Sequence, residues 1–260
     1  MFWKGRNQLW WRNKVVFGRY ITPVVITCIL VNINSILFMI FPVPYFANKY
    51  TYSVFLLPFY LQVSTSGLLI ITSAMDPGII PRRIIQTHNS FVGADIFFRI
   101  NHLWNDFKLK FWITCVIWRP PRVSHCSICD NWVMRWDHHC PWIGTWIGRR
   151  NYKYFFWFLF HLFTYSFLIL IISLVHLFLI VNEYHSKESL SYTSDWVNAL
   201  KESPVSLILW VLNTPTVAFV GSLLFFQIYL WLWDMTSNEY MKEYFKGFPY
   251  TPYSTGSIWK

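Results

Sequence analysis

Four long stretches of this chain contain no Asp, Glu, Lys or Arg residue, and apolar side chains fill most of their positions. They run over residues 20–48, 50–75, 154–181 and 203–233. Each stretch is longer than the roughly 20 apolar residues with which a helix crosses a bilayer. The pattern predicts four transmembrane helices, near residues 21–41, 53–74, 154–180 and 206–232. Pro42 and Pro44 are expected to form the first turn outside the first helix.

The composition agrees with a membrane protein. Hydrophobic residues make up 55% of the 260 residues and charged residues only 13%, which excludes an ordinary soluble domain. We predict an all-α membrane protein with four transmembrane helices and a small cytosolic Cys/His-rich, zinc-binding domain between helices two and three. The expected segments are the N-terminal segment, the first helix pair, the Cys/His-rich domain, the second helix pair and the C-terminal segment, at residues 1–20, 21–74, 75–153, 154–233 and 234–260.

Basic residues are distributed unevenly between the segments that join these helices. Residues 1–19, 75–153 and 234–260 contain 19 of the 22 Lys and Arg residues, whereas the other two connections contain three. Cytoplasmic segments of membrane proteins carry an excess of Lys and Arg, so we expect both termini and the central segment in the cytosol. The net charge of +10 is then explained by topology and contact with anionic lipid, and no nucleic-acid partner is expected.

The central segment is rich in metal-ligating side chains. Four of the five cysteines fall within 26 residues of one another, and three histidines accompany them. In a reducing cytosol, such thiols are metal ligands or catalytic groups more often than disulfides. The spacing of Cys126 and Cys129 is typical of a zinc knuckle, and the many turn residues predict short hairpins held by metal. The candidate ligands and thiols are Cys115, His125, Cys126, Cys129, His138, His139 and Cys140.

Asp137, His138, His139 and Cys140 are consecutive. In one interpretation Cys140 is a nucleophile, His138 takes its proton and Asp137 fixes the tautomer of that imidazole. A free cysteine with a pKa near 8.5 is mostly protonated at neutral pH, so the nucleophile needs such a base. In the other interpretation, Cys140 and both histidines are zinc ligands of a purely structural finger. Spacing alone leaves both open.

Several motifs resemble those of a known family. Residues 119–129, 137–144 and 148–152 closely resemble the cysteine-rich domain of DHHC protein S-acyltransferases (palmitoyltransferases). Asp76-Pro77-Gly78 resembles the D-P-G motif of that family, and residues 236–239 resemble its T-T-x-E motif, with serine in second place. Pro252, Tyr253 and Gly256 resemble its C-terminal aromatic motif, although Thr251 stands where asparagine is usual. These motifs cover nearly the whole chain in the family's order.

The resemblance implies a function for the four consecutive residues. Cys140 would take a palmitoyl or other long-chain acyl group from acyl-CoA and pass it to a cysteine of a membrane-associated protein near the bilayer. His138 would be the base, Asp137 would orient it, and His139 would be a structural zinc ligand. The implied cofactor is structural Zn²⁺, and acyl-CoA is the implied substrate. The usual location of the family is the Golgi or endoplasmic reticulum membrane.

The chain departs from the family pattern at three positions. The family binds two zinc ions, each through three cysteines and one histidine. By position, site one would use Trp112, Cys115, His125 and Trp132, and site two would use Cys126, Cys129, His139 and Trp146. An indole N–H is only a donor and cannot replace a thiolate ligand. As written, site two keeps three ligands and site one keeps two, so the resemblance implies one nearly intact site.

Three explanations of these tryptophans are open. The chain could be a degenerate member that packs indoles where zinc was, or it could keep the second site and have an improvised first one. The third explanation is decoding, because UGA encodes tryptophan in some genetic codes and cysteine in others. Two alternative functions are a catalytically inactive membrane scaffold, which the missing ligands suggest, and a transporter, against which the lack of paired intramembrane charges argues.

Overall fold

The structure is a computed structural model, and it describes residues 5–12, 15–80, 97–102, 105–112, 117–118, 122–188 and 191–243. The described parts divide into two compact units. The helical unit consists of residues 25–70 and 154–226. The second unit combines the described parts of residues 1–24, 71–153 and 227–260, and it contains the Cys/His-rich segment.

Four helical segments are long and apolar enough to cross a membrane, and their mean hydropathy lies between 1.8 and 2.5. These segments are Thr22–Lys49, Tyr52–Ala74, Tyr152–Lys187 and Pro204–Leu232. Large apolar side chains are exposed along them, among them Ile33, Leu57 and Phe225. Such exposure is expected for side chains that face lipid, because the bilayer replaces water as the solvent there. The prediction of four membrane helices is confirmed.

The helices have the following bounds in chain order. Helices α1 to α7 are Thr22–Ile40, Pro42–Lys49, Leu56–Ala74, Tyr152–Glu188, Tyr192–Glu202, Pro204–Leu232 and Ser237–Met241. A 3-10 helix, Tyr52–Phe55, precedes α3. Pro42 and Pro44 lie outside α1, as the sequence predicted, but they form the first turn of another helix, α2. Proline is tolerated at the first turn of a helix because the missing N–H would have no intrahelical partner there.

Polar side chains pair between the helices of the helical unit. Ser35 and Tyr165 lie 2.5 Å apart through their hydroxyl oxygens. Asn34 and Asn213 exchange amide hydrogen bonds of 3.1 and 3.2 Å. Each pair joins two different helices, so these polar groups are satisfied without water, as a bilayer requires. The apolar core around them includes Phe38, Leu61, Tyr165, Ile169 and Leu209.

The second unit is built from short antiparallel strands. Strands β1 to β10 are Gln8–Trp10, Val15–Phe17, Ile79–Ile80, Phe97–His102, Asn105–Trp112, Ile117–Trp118, Ser124–Cys126, Asn131–Val133, His138–Cys140 and Thr145–Ile147. They form the hairpins β1–β2 and β9–β10 and two three-stranded sheets, with strand orders β3-β8-β7 and β4-β5-β6. The prediction of short hairpins in the cysteine-rich segment agrees with this arrangement.

The core of the second unit surrounds the two knuckle cysteines. Cys126 and Cys129 are buried together with Val16, Val133 and Trp146. Val16 belongs to β2, so the N-terminal hairpin contributes directly to this core. The backbone N–H of Arg6 also donates to the carbonyl oxygen of Cys129 over 2.9 Å. The N-terminal residues are therefore part of the Cys/His-rich unit.

Candidate active site and metal-binding cluster

Cys140 is the last residue of β9 and faces β10. In the antiparallel register, Cys140 is opposite Thr145, His139 opposite Trp146 and His138 opposite Ile147. The four-residue turn is closed by a 2.9 Å hydrogen bond from the Gly144 N–H to the Cys140 carbonyl. Gly144 has a φ of +72°, which glycine adopts without the steric cost of a Cβ. Hairpin geometry thus fixes the backbone that carries the thiol.

His138 connects Asp137 to Cys140. Its Nδ1 donates to Oδ2 of Asp137 over 2.6 Å, so Nε2 is the nitrogen that can take a proton from the Cys140 thiol. Burial alone would lower the pKa of His138, but the hydrogen bonds and charges of Asp137 and Cys140 outweigh burial and raise this pKa to about 9. The imidazole is therefore strongly basic and readily takes a proton from a neighbouring thiol.

Asp137 is held by a residue from the far end of the chain. Its carboxylate is 1% exposed and accepts two hydrogen bonds from Ser237. The Ser237 N–H donates to Oδ1 over 2.6 Å and its hydroxyl donates to Oδ2 over 2.8 Å. With His138, three donors thus satisfy this buried anion. These hydrogen bonds fix the orientation of the carboxylate.

An ion-pair network fixes the segment that contains Ser237. Arg122 donates through Nε and Nη2 to both carboxylate oxygens of Glu239, each over 2.8 Å. Glu239 also completes the capping box of α7 with Thr236. Asp234 accepts from Arg135 over 2.6 Å and pairs with Arg122. Because Glu239 is buried and Arg122 is largely buried, loss of either partner would leave a poorly compensated charge.

Two further motif residues, Asp76 and Asn151, form hydrogen bonds with segments that adjoin the β9–β10 hairpin or follow α3. Asp76 accepts from the N–H groups of Gly78 and Ile79, both over 2.9 Å, and pairs with Arg150. Asn151, which is fully buried, accepts from the Gly148 N–H over 2.9 Å and donates to the Trp146 carbonyl over 2.7 Å. These side chains bind backbone groups, so their role is to fix the chain after β10 and after α3.

Cys126, Cys129 and His139 form a group that fits a metal ion. Their ligand atoms all lie within 4.8 Å of one another, and Nδ1 of His139 is 3.8 and 3.9 Å from the two sulfur atoms. These spacings suit tetrahedral zinc, whose bonds to sulfur and nitrogen are about 2.3 and 2.0–2.1 Å. The hydrogen bond that the Cys129 thiol donates to Cys126 lowers the pKa of Cys126 to about 4. The same hydrogen bond, followed by burial, raises the pKa of Cys129. A cation would stabilise both thiolates.

Trp146 does not complete this group. It lies opposite His139 in the hairpin, is fully buried against Cys126 and Cys129, and offers only a donor N–H. Among the described residues, its Nε1 has no hydrogen-bond partner. Buried indole N–H groups usually find a partner, and an unsatisfied one costs about 1–3 kcal/mol. The three donors therefore fit zinc, whereas residue 146 as written fits neither a ligand nor a satisfied core side chain.

His125 is described by the structure and is not part of this group. Nε2 of His125 lies 3.0 Å from Oδ1 of Asp130, and its ring packs against Trp132 with centroids 5.3 Å apart. Cys115 lies outside the described residues, as do residues 251–256 with the C-terminal aromatic motif. The assignment of His125 and Cys115 to a first zinc site stays a prediction.

The structure separates the two kinds of chemistry among these residues. Nδ1 of His139 lies near the sulfur atoms of the knuckle cysteines, while His138, the preceding residue, is hydrogen bonded to Asp137. Alternation of side chains along β9 places the two imidazoles on opposite faces. One face can hold a metal and the other can activate a thiol. Cys140 is outside the metal-capable group of the described residues, which favours the nucleophile interpretation over the purely structural finger.

Sequence reasoning missed the residues that support Asp137. The sequence places Ser237 and Glu239 only in a motif, and Arg122 only within residues 119–129, which resemble the cysteine-rich domain of the family. The motif resemblance was the signal that could have drawn attention to them, because residues 119–129 and 236–239 resemble parts of one family pattern although they are more than 100 residues apart. Their charges could have suggested the pairing of Arg122 with Glu239, but not the bonds from Ser237 to Asp137.

Comparison with known proteins agrees with the motifs. The DHHC palmitoyltransferase family model matches residues 105–244, more than half of the chain. The chain is 33% identical to human Palmitoyltransferase ZDHHC14, over 98% of this chain and 54% of that protein. It is 33% identical to mouse Palmitoyltransferase ZDHHC18, over 92% of this chain and 63% of that protein. For Probable protein S-acyltransferase 7 of Arabidopsis thaliana the identity is 30%, over 97% and 62%. The chain thus spans between half and two thirds of these relatives.

Proposed function

The chain belongs to the DHHC palmitoyltransferase family, and from that membership we propose that it is a protein S-acyltransferase. It would transfer a palmitoyl or other long-chain acyl group from acyl-CoA to cysteines of membrane-associated proteins. The observation that carries this proposal is the hydrogen-bonded series Ser237, Asp137 and His138, beside the Cys140 thiol, which helps to raise the pKa of His138. The complete series argues against an inactive scaffold.

The first step forms an acyl-enzyme. Nε2 of His138 takes the proton of Cys140, and Asp137 stabilises the resulting imidazolium through Nδ1. The thiolate attacks the carbonyl carbon of acyl-CoA, and the intermediate collapses with release of the CoA thiolate, which takes the proton from His138. One thioester is exchanged for another, so the step is nearly balanced in free energy and needs no nucleotide hydrolysis.

The second step repeats this chemistry with a protein thiol. His138 takes the proton of the client cysteine, whose sulfur attacks the acyl-Cys140 thioester, and the Cys140 thiolate leaves and is reprotonated. The acyl chain favours clients that are already at the membrane. At about 0.8 kcal/mol per buried CH₂ group, a sixteen-carbon chain gains about 12 kcal/mol in an apolar environment, so it remains in the bilayer region during transfer.

We propose that Cys126, Cys129 and His139 hold one structural Zn²⁺. When bound, the ion would neutralise the thiolates and fix β9 through His139, next to His138 and Cys140. The buried N–H of Trp146 without a partner among the described residues supports the decoding explanation for this position. A cysteine there would remove the unsatisfied donor and supply the fourth ligand.

We propose a multi-pass membrane protein whose termini and Cys140 loop are in the cytosol, in the Golgi or endoplasmic reticulum membrane. The support for this orientation is the distribution of Lys and Arg, which are concentrated in residues 1–19, 75–153 and 234–260. Cys140 precedes α4, which begins at Tyr152, by only twelve residues. The short connection favours a thiol near the cytosolic surface, where soluble CoA and a membrane-bound acyl chain can both be reached.

Labelling with radioactive palmitoyl-CoA tests the proposed function. The purified wild-type chain should acquire hydroxylamine-sensitive label, and Cys140→Ser should abolish it because a serine hydroxyl is a far weaker nucleophile. His138→Ala should slow labelling by about 100- to 10,000-fold, the usual contribution of a general base. Cys28→Ser is the matched control, because this cysteine lies in α1, away from the connected series along the chain.

Two results would contradict the assignment. Label retained by Cys140→Ser and lost from another cysteine variant would assign the nucleophile elsewhere. An unlabelled wild-type chain that is folded and contains zinc would favour the scaffold function instead.

A further inference from the structure

Thr145 is the cross-strand neighbour of the nucleophile. It lies directly opposite Cys140 in the β9–β10 register. Side chains at directly opposite positions of an antiparallel pair point to the same face, with Cβ atoms about 4.5–5.5 Å apart. Thr145 is fully buried and Cys140 is 6% exposed. The threonine hydroxyl and the cysteine thiol therefore occupy the same sheltered face of the hairpin.

The hydroxyl of Thr145 is unsatisfied. Within the described part of the chain, Oγ1 is buried and has no hydrogen-bond partner. Buried hydroxyls in proteins are normally hydrogen bonded, and a buried hydroxyl left without a partner costs about 1–3 kcal/mol. Valine has the same shape without this cost. An unsatisfied hydroxyl lowers the stability of the folded state, so its position opposite the proposed nucleophile suggests a role in the reaction.

Three groups near the thiol already have other partners. The Gly144 N–H, a backbone donor of the same turn, is already bonded to the Cys140 carbonyl. Nδ1 of His138 is bonded to Asp137, and Nε2 is needed to move the proton of Cys140. His139 faces the knuckle cysteines. Thr145 Oγ1 is thus a donor on the face of Cys140 that no described partner uses.

We propose that Thr145 is a catalytic residue whose hydroxyl donates a hydrogen bond to the acyl oxygen as that oxygen becomes negative. This inference rests on the proposed acyltransferase function. The Cys140 thiolate forms the new C–S bond, and the carbonyl π electrons move onto oxygen, where Thr145 Oγ1–H meets the oxyanion. When the C=O bond re-forms, the bond to the CoA sulfur breaks, and the CoA thiolate leaves with the proton from His138. Thr145 itself neither gains nor loses a proton.

Substitutions at residue 145 test the role in single-turnover acylation of the full-length chain. Thr145→Val removes the hydroxyl and keeps the shape, and we expect its rate constant to fall about 100-fold, as for other single oxyanion donors. Thr145→Ser keeps a hydroxyl and should retain most of the rate. Thr145→Val should unfold at the same temperature as the wild type or higher, because it removes an unsatisfied buried group.

The amplitude of labelling distinguishes catalysis from folding. A lower rate constant at full amplitude in Thr145→Val, rescued in Thr145→Ser, supports the proposal. An unchanged rate constant, or a lower amplitude with an unchanged rate constant, overturns it. If the valine variant does not fold, Thr145→Ala is a second variant without the hydroxyl and with a smaller side chain. Its rate constant and its labelling amplitude then test the proposal in the same way. An unlabelled wild-type chain would refute the acyltransferase function, and this inference with it.

Discussion

Ser237→Ala tests whether the far end of the chain controls the active site. The substitution removes the 2.8 Å bond from the Ser237 hydroxyl to Oδ2 of Asp137 and leaves the 2.6 Å bond from the Ser237 N–H to Oδ1. Oδ2 is also the oxygen that accepts from His138. The change therefore acts on the atom that orients the base, while the backbone connection persists.

The structure sets the size of the effect. A hydrogen bond to a charged group contributes about 1.5–3 kcal/mol, and each 1.4 kcal/mol of transition-state stabilisation is about a factor of ten in rate. Asp137 keeps two of its three donors, so only part of this energy is lost in the transition state. We expect the self-acylation rate constant to fall about tenfold, with about 100-fold as the upper limit.

Ser237→Thr is the matched control, because it keeps the hydroxyl. Single-turnover labelling of both variants at saturating palmitoyl-CoA gives the rate constant and the labelled fraction separately. Since the Ser237 hydroxyl also accepts from Gln227 over 3.2 Å, the labelled fraction checks for misfolding in the alanine variant. Equal rate constants for the alanine and threonine variants would refute the idea that Ser237 supports catalysis through Asp137.

Two further predictions concern the same unit. Gly18→Ala should lower the acylation rate constant or the thermal stability, because the new Cβ would lie 1.8 Å from the Gly144 carbonyl oxygen, and a displacement of about 1 Å at a catalytic loop lowers the rate up to about 100-fold. Gly67→Ala is the control, since no described atom lies within 4 Å of its Cβ. Equal rate constants and equal stabilities of the two variants would contradict this prediction. Cys126→Ser should release zinc and lower the unfolding temperature, whereas Cys28→Ser should change neither. Metal analysis and thermal unfolding measure these two quantities. An unchanged zinc content in Cys126→Ser would exclude the proposed site. Peptide mass spectrometry should be run alongside, because indole masses at residues 112, 132 and 146 would exclude the decoding explanation and limit the chain to a single zinc ion.

The membrane helices were predictable because the bilayer imposes a simple rule on long segments. A helix that spans lipid cannot carry many charges, so the charge-free runs marked all four segments. Helix α5, Tyr192–Glu202, was not predicted. It lies in a polar connection, and its stability depends on tertiary packing such as that of Ala199 against Ile180 and Val181, which no local pattern reveals.

The candidate site was predictable to the extent that its residues are adjacent in sequence. Asp137, His138 and Cys140 lie within four positions, and strand geometry alone gives the two histidines opposite faces. The support from Ser237 and the opposition of Thr145 to Cys140 depend on long-range contacts and on hairpin register. A one-residue change of register would place another side chain opposite the thiol, so sequence alone could not identify Thr145.

The contacts of Asp137 also set an order of events during synthesis. Ser237 lies 100 residues after Asp137, and Glu239 lies 117 residues after Arg122. When the hairpin that contains Cys140 has been synthesised, the Ser237 groups that bind the Asp137 carboxylate have not yet been made. If Cys140 is the proposed nucleophile, we expect it to reach its full reactivity only after α6 and Ser237 have been translated.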